Sequence, residues 1–220
     1  MTTLTEENYL KAIYILHEKH GGMVTTSLLA EQLKISAASV TDFVKKMAMK
    51  KLIRYEKSKG VSLTEKGRQI AVQIIRKHRL WEVWLVEKLG FRWDQVHDIA
   101  EQLEHIESMQ LIEHLDKHLG FPQTDPHGDL IPDSNGRFAK TGNKPLSDCQ
   151  PGDVVRFTGV SDHSNTFLRF LTKSNISLGD EFLVESVEEY DNSFIVRVNG
   201  GQPKQLSREV VKNILVTNIR

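Results

Sequence analysis

Cysteine is almost missing from these 220 residues: Cys149 is the one present. A single thiol allows no intrachain disulfide and no cysteine-based zinc knuckle. Long apolar runs are missing too. No stretch approaches 18 consecutive apolar residues, which excludes a helix built to span a bilayer. The opening residues, MTTLTEENYL, have neither a basic leader nor an apolar core. They predict no signal peptide, and the expected location is cytoplasmic. An excess of one charge is also absent, since Lys plus Arg and Asp plus Glu number 29 each. That excludes a uniformly basic protein. The common catalytic signatures are missing as well: no HExxH, no nucleophile elbow and no phosphate-cradling glycine loop.

What is present is unevenly spread. Residues 1–77 hold 14 basic and 7 acidic side chains. Residues 78–140 hold 6 basic and 12 acidic. A basic first third followed by an acidic middle suggests polyanion binding by one part and cation binding by the next. Six of the nine histidines, His78, His97, His105, His114, His118 and His127, fall in that acidic middle.

The apolar spacing in TEENYLKAIYILHEKH predicts a helix over 5–20, with Thr3 and Glu6 at capping-box spacing. A short helix over 25–33 and a longer one over about 37–51 flank the turn Lys34-Ile35-Ser36, a helix-turn-helix pattern. LIRYEKSKGVSLTEKG reads as a hairpin with Gly60 at its tip. A helical run is expected from Thr64 to about Leu89, and another over 94–119 opening on an Asp94 cap. GFPQTDPHGDLIPDSNG reads as a loop. Beyond Pro151-Gly152 come short β segments with one helical stretch, NTFLRFLTKSN. The expected fold is mainly α with a small β part. Its expected domains are a winged helix-turn-helix over 1–72, a helical metal-binding and dimerisation domain over 73–140, a linker over 141–150 and an SH3-like β-barrel over 151–220.

In a helix-turn-helix the second helix enters the major groove. Its N-terminal residues here are Ser36, Ala38, Ser39, Thr41 and Asp42. They are small and polar, with no arginine for bidentate guanine contact, so direct readout is modest and shape readout gains weight. Lys45, Lys46, Lys50 and Lys51 on the helix, with Arg54, Lys57 and Lys59 on the wing, are candidate phosphate contacts. A lysine-rich helix alone is an ordinary solvated face; the hairpin and the two-helix spacing turn the reading toward duplex DNA.

In HDIAEQLEHIE, Glu101, Glu104 and His105 stand at i, i+3 and i+4, on one face if the segment is helical. His97 lies one turn upstream, and His78 and Glu82 repeat the i, i+4 pattern on the preceding helix. Carboxylate and imidazole donors without thiolate suit Mn²⁺ or Fe²⁺, and also Zn²⁺ or Co²⁺. One such pair is usually hydrogen-bonded surface, and His114-Leu115-Asp116-Lys117-His118 reads as that. Three functions remain open at this point: a metal-dependent DNA-binding regulator, a metal-dependent hydrolase using the His/Glu clusters, and a winged-helix adaptor whose clusters are only surface.

The order of winged helix, RKHRLWEVWL, VHDIAEQLEH, GFPQTDPHGDLIP and a small β domain resembles the diphtheria toxin repressor and manganese transport regulator family. The resemblance covers nearly the whole chain. It implies a non-enzymatic repressor that controls metal-uptake genes, with Mn²⁺ or Fe²⁺ as effector. The implied form is a homodimer on palindromic operator DNA. The implied regulatory ligands are Asn8, Glu101, Glu104 and His105. Iron-selective members have Cys at the position of Glu101, so Glu101 favours Mn²⁺. Asn8 stands where the family has Asp or Met, and Lys11 where short manganese members place a second carboxylate, which speaks against a binuclear site. An ancillary site would use His78, Glu82 and His97, with Asp125 from the loop and Asp162 from the β domain. Trp81, Trp84, Leu85, Ile99, Leu103 and Ile106 are candidates for the dimer interface. A cation joining the first helix to the central helices would fix the spacing of two reading heads.

Overall fold

The computed structural model describes residues 2–219, which divide into two compact units. One holds the chain up to Trp81 with Ala100–Lys117 and Ile131–Phe138. The other holds Glu82–Ile99, His118–Leu130 and the chain from Ala139 onward.

In the first unit, α1 (Leu4–His20) begins at the expected capping box: Glu6 N–H donates to Thr3 Oγ1 at 3.3 Å and Thr3 N–H to Glu6 Oε2 at 3.0 Å. Thr25 and Ser36 cap α2 (Thr26–Leu33) and α3 (Ala37–Met49) through their hydroxyls. Such caps satisfy amides that have no partner within the helix. The turn between them passes through Lys34, left-handed at φ 55°. β1 (Ile53–Glu56) and β2 (Gly60–Leu63) pair antiparallel as the wing. Gly60 has φ +115°, and a Cβ there would lie 2.2 Å from the Val24 carbonyl oxygen. Only glycine lets Val24 and Val61 exchange their two backbone hydrogen bonds, each 2.8 Å. Leu10, Ile13, Leu29, Val40, Val44, Met47 and Val61 form the core of this winged helix.

α4 (Glu65–Leu89) runs unbroken as expected. The helix expected over 94–119 does not form as one piece. A 3₁₀ turn at Trp93–Gln95 precedes α5 (His97–Leu103), and α6 (Met109–His118) starts anew. Ser108 supplies the break, accepting the Leu111 N–H at 3.3 Å. The expected Asp94 cap is corrected too, because that carboxylate is buried between two arginines. Asp116, read as solvated surface, is buried as well: Arg76 donates to it at 2.6 Å and to the Pro132 carbonyl at 2.7 Å. This fork ties α4, α6 and the 131–138 loop together.

The second unit carries a six-stranded antiparallel sheet in the order β3-β8-β4-β5-β6-β7, from β3 (Lys144–Pro145), β4 (Val154–Val160), β5 (Glu181–Val187), β6 (Phe194–Val198), β7 (Pro203–Leu206) and β8 (Ile214–Asn218). Register shifts at Phe157/Gly159 and Val184/Ser186 bend the strands. The inward face closes on Phe157, Phe182, Val196, Ile214 and Val216, with Leu168 and Leu171 from α7 (Asn165–Lys173). A short α8 (Arg208–Lys212) leads into β8. Lys144 and Pro145, expected within a linker, pair with β8, and the turn after them buries Leu146 and Cys149 in this core. Two hydrogen bonds hold α7 to the Trp93 turn: Arg169 to Asp94 at 2.8 Å and Trp93 Nε1 to Thr172 at 3.0 Å. The hydrogen bond from Arg92, with that from Arg169, outweighs burial and holds the Asp94 carboxyl down at about 2.

Gly67 tests the seat of α4 on the wing. Glycine to alanine in a helix ordinarily stabilises by about 1 kcal/mol. A Cβ at Gly67 would lie 2.0 Å from the Leu52 carbonyl oxygen. Gly67→Ala is therefore expected to destabilise by about 1–3 kcal/mol, read as a lower denaturation midpoint in urea; a stabilised variant would refute the contact.

Candidate metal centres and nucleic-acid interface

The tip of α3 is open to solvent. Ser36, Ala38, Ser39, Asp42, Lys45 and Lys46 are exposed, as are Lys57 and Lys59 on the wing. Local hydrogen bonds divide their roles. Ser36 is used by its cap and by Ser39 Oγ at 2.8 Å. Half-buried Thr41 donates back to the Ala37 carbonyl at 2.9 Å. Ser39 Oγ is occupied by its bond to Ser36, and Asp42 Oδ1 lies 3.7 Å from Lys45 Nζ. Lys50, read as a phosphate contact, instead pairs with Glu6 at 2.6 Å. Burial raises the Glu6 carboxyl, but Lys50 and the Thr3 amide outweigh it and hold it below the ordinary carboxylate range.

Glu101, Glu104 and His105 sit at and just beyond the C-terminal end of α5, where helical bonding continues to Glu104, whose N–H donates to Ala100 at 2.8 Å. Glu104 and His105 therefore sit beyond a helix end rather than on a helix face. The Glu104 side chain is 1% exposed. Its Oε2 accepts from Lys11 Nζ and contacts His78 Nδ1, both at 2.6 Å, while Lys11 stands 3.2 Å from the same His78 atom and 3.8 Å from Glu101. Burial pushes the Glu104 carboxyl up, but the His78 hydrogen bond and the Lys11 charge outweigh it and keep it below its ordinary value. Its other oxygen faces His105 Nε2 at 3.9 Å, and His105 Nδ1 is 2.7 Å from Glu7 Oε2. A carboxylate on one ring nitrogen orients the other toward a ligand.

Asn8, expected as the ligand from the first helix, is exposed; among the described residues the α1 contacts with this cluster come from Glu7 and Lys11. Glu7 and Lys11 are i and i+4 on one helix face, and Asn8, three residues before Lys11, borders that face. His78, expected with Glu82 and His97, keeps a donor atom within 4.8 Å of both and also contacts Glu104 at 2.6 Å.

The second cluster lies in the other unit. Glu82, Asp125 and His127 are all buried and bring one donor atom each within 4.8 Å of one another. His97 Nδ1 stands 3.6 Å from Glu82, on the exposed side. Asp125 Oδ1 accepts the amides of His127 at 2.8 Å and Asp129 at 3.0 Å, so one carboxylate both forms the turn and faces the cluster. His127 Nε2 is held by the Trp93 carbonyl at 2.8 Å, leaving Nδ1 toward Glu82 at 3.6 Å. Asp162, expected as a ligand, instead accepts the Ser164 amide at 2.8 Å before α7. Its neighbour His163 reaches inward, edge-on to the His127 ring with centroids 5.3 Å apart, and 3.5 Å from Asp129. Burial lowers the His127 pKa, but the Glu82 hydrogen bond, the charges of Glu82 and Asp125 and the Trp93 carbonyl outweigh it and raise it to about 9.

His127, Glu7 and His163 carry no role in the sequence reading. The D-x-H spacing of Asp125 and His127 is a usable signal, since an Asx turn brings the two together. Glu7 and Lys11 at i, i+4 give one for α1. Nothing local marks His163. Both clusters offer oxygen and imidazole nitrogen without thiolate, the donor set for a divalent ion of the Mn²⁺ or Fe²⁺ kind.

Family comparison agrees with this layout. Residues 1–61 match the N-terminal DNA binding domain of iron dependent repressors, 64–133 their metal binding and dimerisation domain, and 144–218 the FeoA domain. The iron-dependent repressor IdeR of Mycobacterium tuberculosis is 36% identical over 154 residues, 70% of this chain; the match spans 65% of that relative's length. The HTH-type transcriptional regulator MntR of Bacillus pumilus is 33% identical over 131 residues, 60% of this chain and 81% of its own. A solved manganese-dependent transcriptional repressor in complex with manganese superposes with TM-score 0.88 at 35% identity, covering 97% of this chain and all (100%) of that one.

The raised His127 value has a stability consequence. A group held at about 9 in the fold, against about 6.5 unfolded, contributes stability that is full below 6.5 and lost as pH rises through 9. Metal-free protein is expected to lose stability between pH 6.5 and 9, and His127→Gln to flatten that loss, as read by denaturant midpoints; an equal loss in the variant would sink this assignment.

Proposed function

The chain belongs to the iron-dependent repressor family, and from that premise we propose that it is a metal-dependent transcriptional repressor. In this reading it works in the cytoplasm as a homodimer on palindromic operator DNA and controls metal-uptake genes. The observation that carries the reading is the pocket where the first helix of the winged domain meets Glu104 and His105. A divalent ion held there would add charge to carboxylates that Lys11 neutralises in part.

Glu101, Glu104 and His105 would hold the ion, with His105 aimed by Glu7. Glu7, rather than Asn8, makes the α1 contact. Because α1 packs directly in the winged-helix core through Leu10 and Ile13, a fixed α1 fixes the position of α3. In a dimer that sets two α3 helices at one spacing, about 34 Å for adjacent major grooves. Coupling of this kind is reciprocal, so operator DNA raises metal affinity. The carboxylate of Glu101 favours Mn²⁺ over Fe²⁺; the single thiol, Cys149, is buried in the β core.

Glu82, Asp125 and His127 form the ancillary site in this proposal, with His97 at its edge and His163 supplied by the β domain. Exposed Met109 and Leu111 on α6 extend the apolar surface offered to a second copy. Trp81 and Leu85 serve the chain's own core instead, being 8% and 3% exposed. The relatives are named as repressors and regulators, which speaks for this reading over the hydrolase alternative.

Titrating Mn²⁺ and Fe²⁺ into the protein with its own promoter DNA tests the pocket. Glu104→Ala is expected to weaken the metal response of DNA binding by at least about tenfold. Unchanged affinity with unchanged metal dependence would overturn the mechanism. For the interface, Lys46→Ala is expected to weaken binding across sequences alike and to lower the slope of log K against log salt by about 0.9. An unaltered slope would remove Lys46 from the phosphate contacts.

A further inference from the structure

The pocket between α1 and the 101–105 segment already contains a positive charge. Lys11 Nζ lies 2.6 Å from Glu104 Oε2, 3.8 Å from Glu101 and 3.2 Å from His78 Nδ1, on a side chain only 11% exposed. These neighbours, two carboxylates and an imidazole, are donors of the type that hold a divalent cation. The Glu104 carboxylate is split between two surroundings. Oε2 faces Lys11 and His78, and Oε1 faces His105 Nε2.

We propose that Lys11 is a tethered cation that fills the Glu104 Oε2 corner of the pocket, leaves one corner at Glu104 Oε1 and His105 for a divalent ion, and keeps the first helix docked when no ion is bound. This inference rests on the reading of the pocket as the regulatory site and adds how that site is set.

Three consequences follow from charge and geometry. The ion pair does without metal part of what an ion does with it, joining α1 to residue 104. The metal-free protein is thereby biased toward the docked arrangement, and the metal response is compressed. Second, an ammonium a few ångströms from the remaining corner repels an incoming divalent ion, so the sensor answers at a higher ion concentration than the same pocket without Lys11. Third, the Oε2 corner is taken, so the pocket admits one ion. Position 11 is thus a determinant of threshold and stoichiometry. Its placement follows from α1 itself, since Glu7 and Lys11 lie on one face and engage His105 and Glu104 together.

The test uses the full chain in two arms. Amide hydrogen exchange of residues 4–20 is followed without metal, and Mn²⁺ uptake is counted by equilibrium dialysis. Lys11→Met is expected to speed α1 exchange about tenfold in metal-free protein and to tighten Mn²⁺ binding about tenfold. Lys11→Arg should retain slow exchange. Lys11→Glu should add one Mn²⁺ per chain. Should the methionine variant not fold, Lys11→Gln keeps a donor on Glu104 without charge and reads the same two changes. Slow exchange together with unchanged Mn²⁺ affinity in the uncharged variants overturns the proposal. The arms also separate it from the reading beneath it. If the wild-type pocket takes up no Mn²⁺, the regulatory-site reading fails and the stoichiometric claim with it, while the clamp is decided by exchange alone.

Discussion

A carboxylate at 1% side-chain exposure needs compensation on every side, and Glu104 is where this molecule meets that demand. An unpaired charge so placed costs several kcal/mol, and breaking one half of such a pair typically costs about 3–5. Lys11, His78 and His105 answer it from three directions. Each arrives on a different segment: α1, α4 and the turn after α5. The need to neutralise one buried anion therefore draws the first helix of the winged domain onto the central helices. Whatever changes the cation at that point changes the hold on α1, and with α1 the placement of α3. In the proposed function, that is the link between an ion and the surface offered to DNA.

The second unit uses the same principle with protons and arginines. Asp94 is neutralised by Arg92 and Arg169, which ties α7 to the Trp93 turn. The Glu82 and Asp125 carboxylates raise the His127 pKa to about 9, and the Trp93 carbonyl anchors its ring. The loop that bears Asp125 and His127 packs its Gly128 against Thr158 and Gly159, so closely that a Cβ would stand 2.0 Å from a carbonyl oxygen. The loop is thus seated directly against β4. His163 reaches the second cluster because Asp162 beside it is taken up by the Ser164 amide. A metal there would displace the His127 proton, so proton and ion compete for one nitrogen.

Much of this was legible in the chain because it is written locally. The capping box of Thr3 and Glu6, the hairpin glycine at position 60 and the apolar period of α4 depend on neighbours a few residues away. The acidic, histidine-rich middle and its Glu/His spacings announced ion binding in the same local way. Where the reading failed, distant partners had decided. Asn8 was expected from its counterpart in relatives; it is exposed, and the α1 contacts among the described residues come from Glu7 and Lys11. Asp162 looked like a donor until its own turn claimed it. The helix expected over 94–119 is interrupted by Ser108 and by a buried Asp94 whose arginine partner stands at position 169.

Sequence alone determined the kinds of atoms available: oxygens and imidazoles, one remote thiol, a basic head and an acidic middle. It determined α1 to α4 too, since period and capping are properties of adjacent residues. Which donors face each other, and that a lysine stands among them, was decided only by tertiary packing. Side chains 67 to 98 residues apart meet there, and their pairing depends on how the helices pack around a charge that water cannot reach.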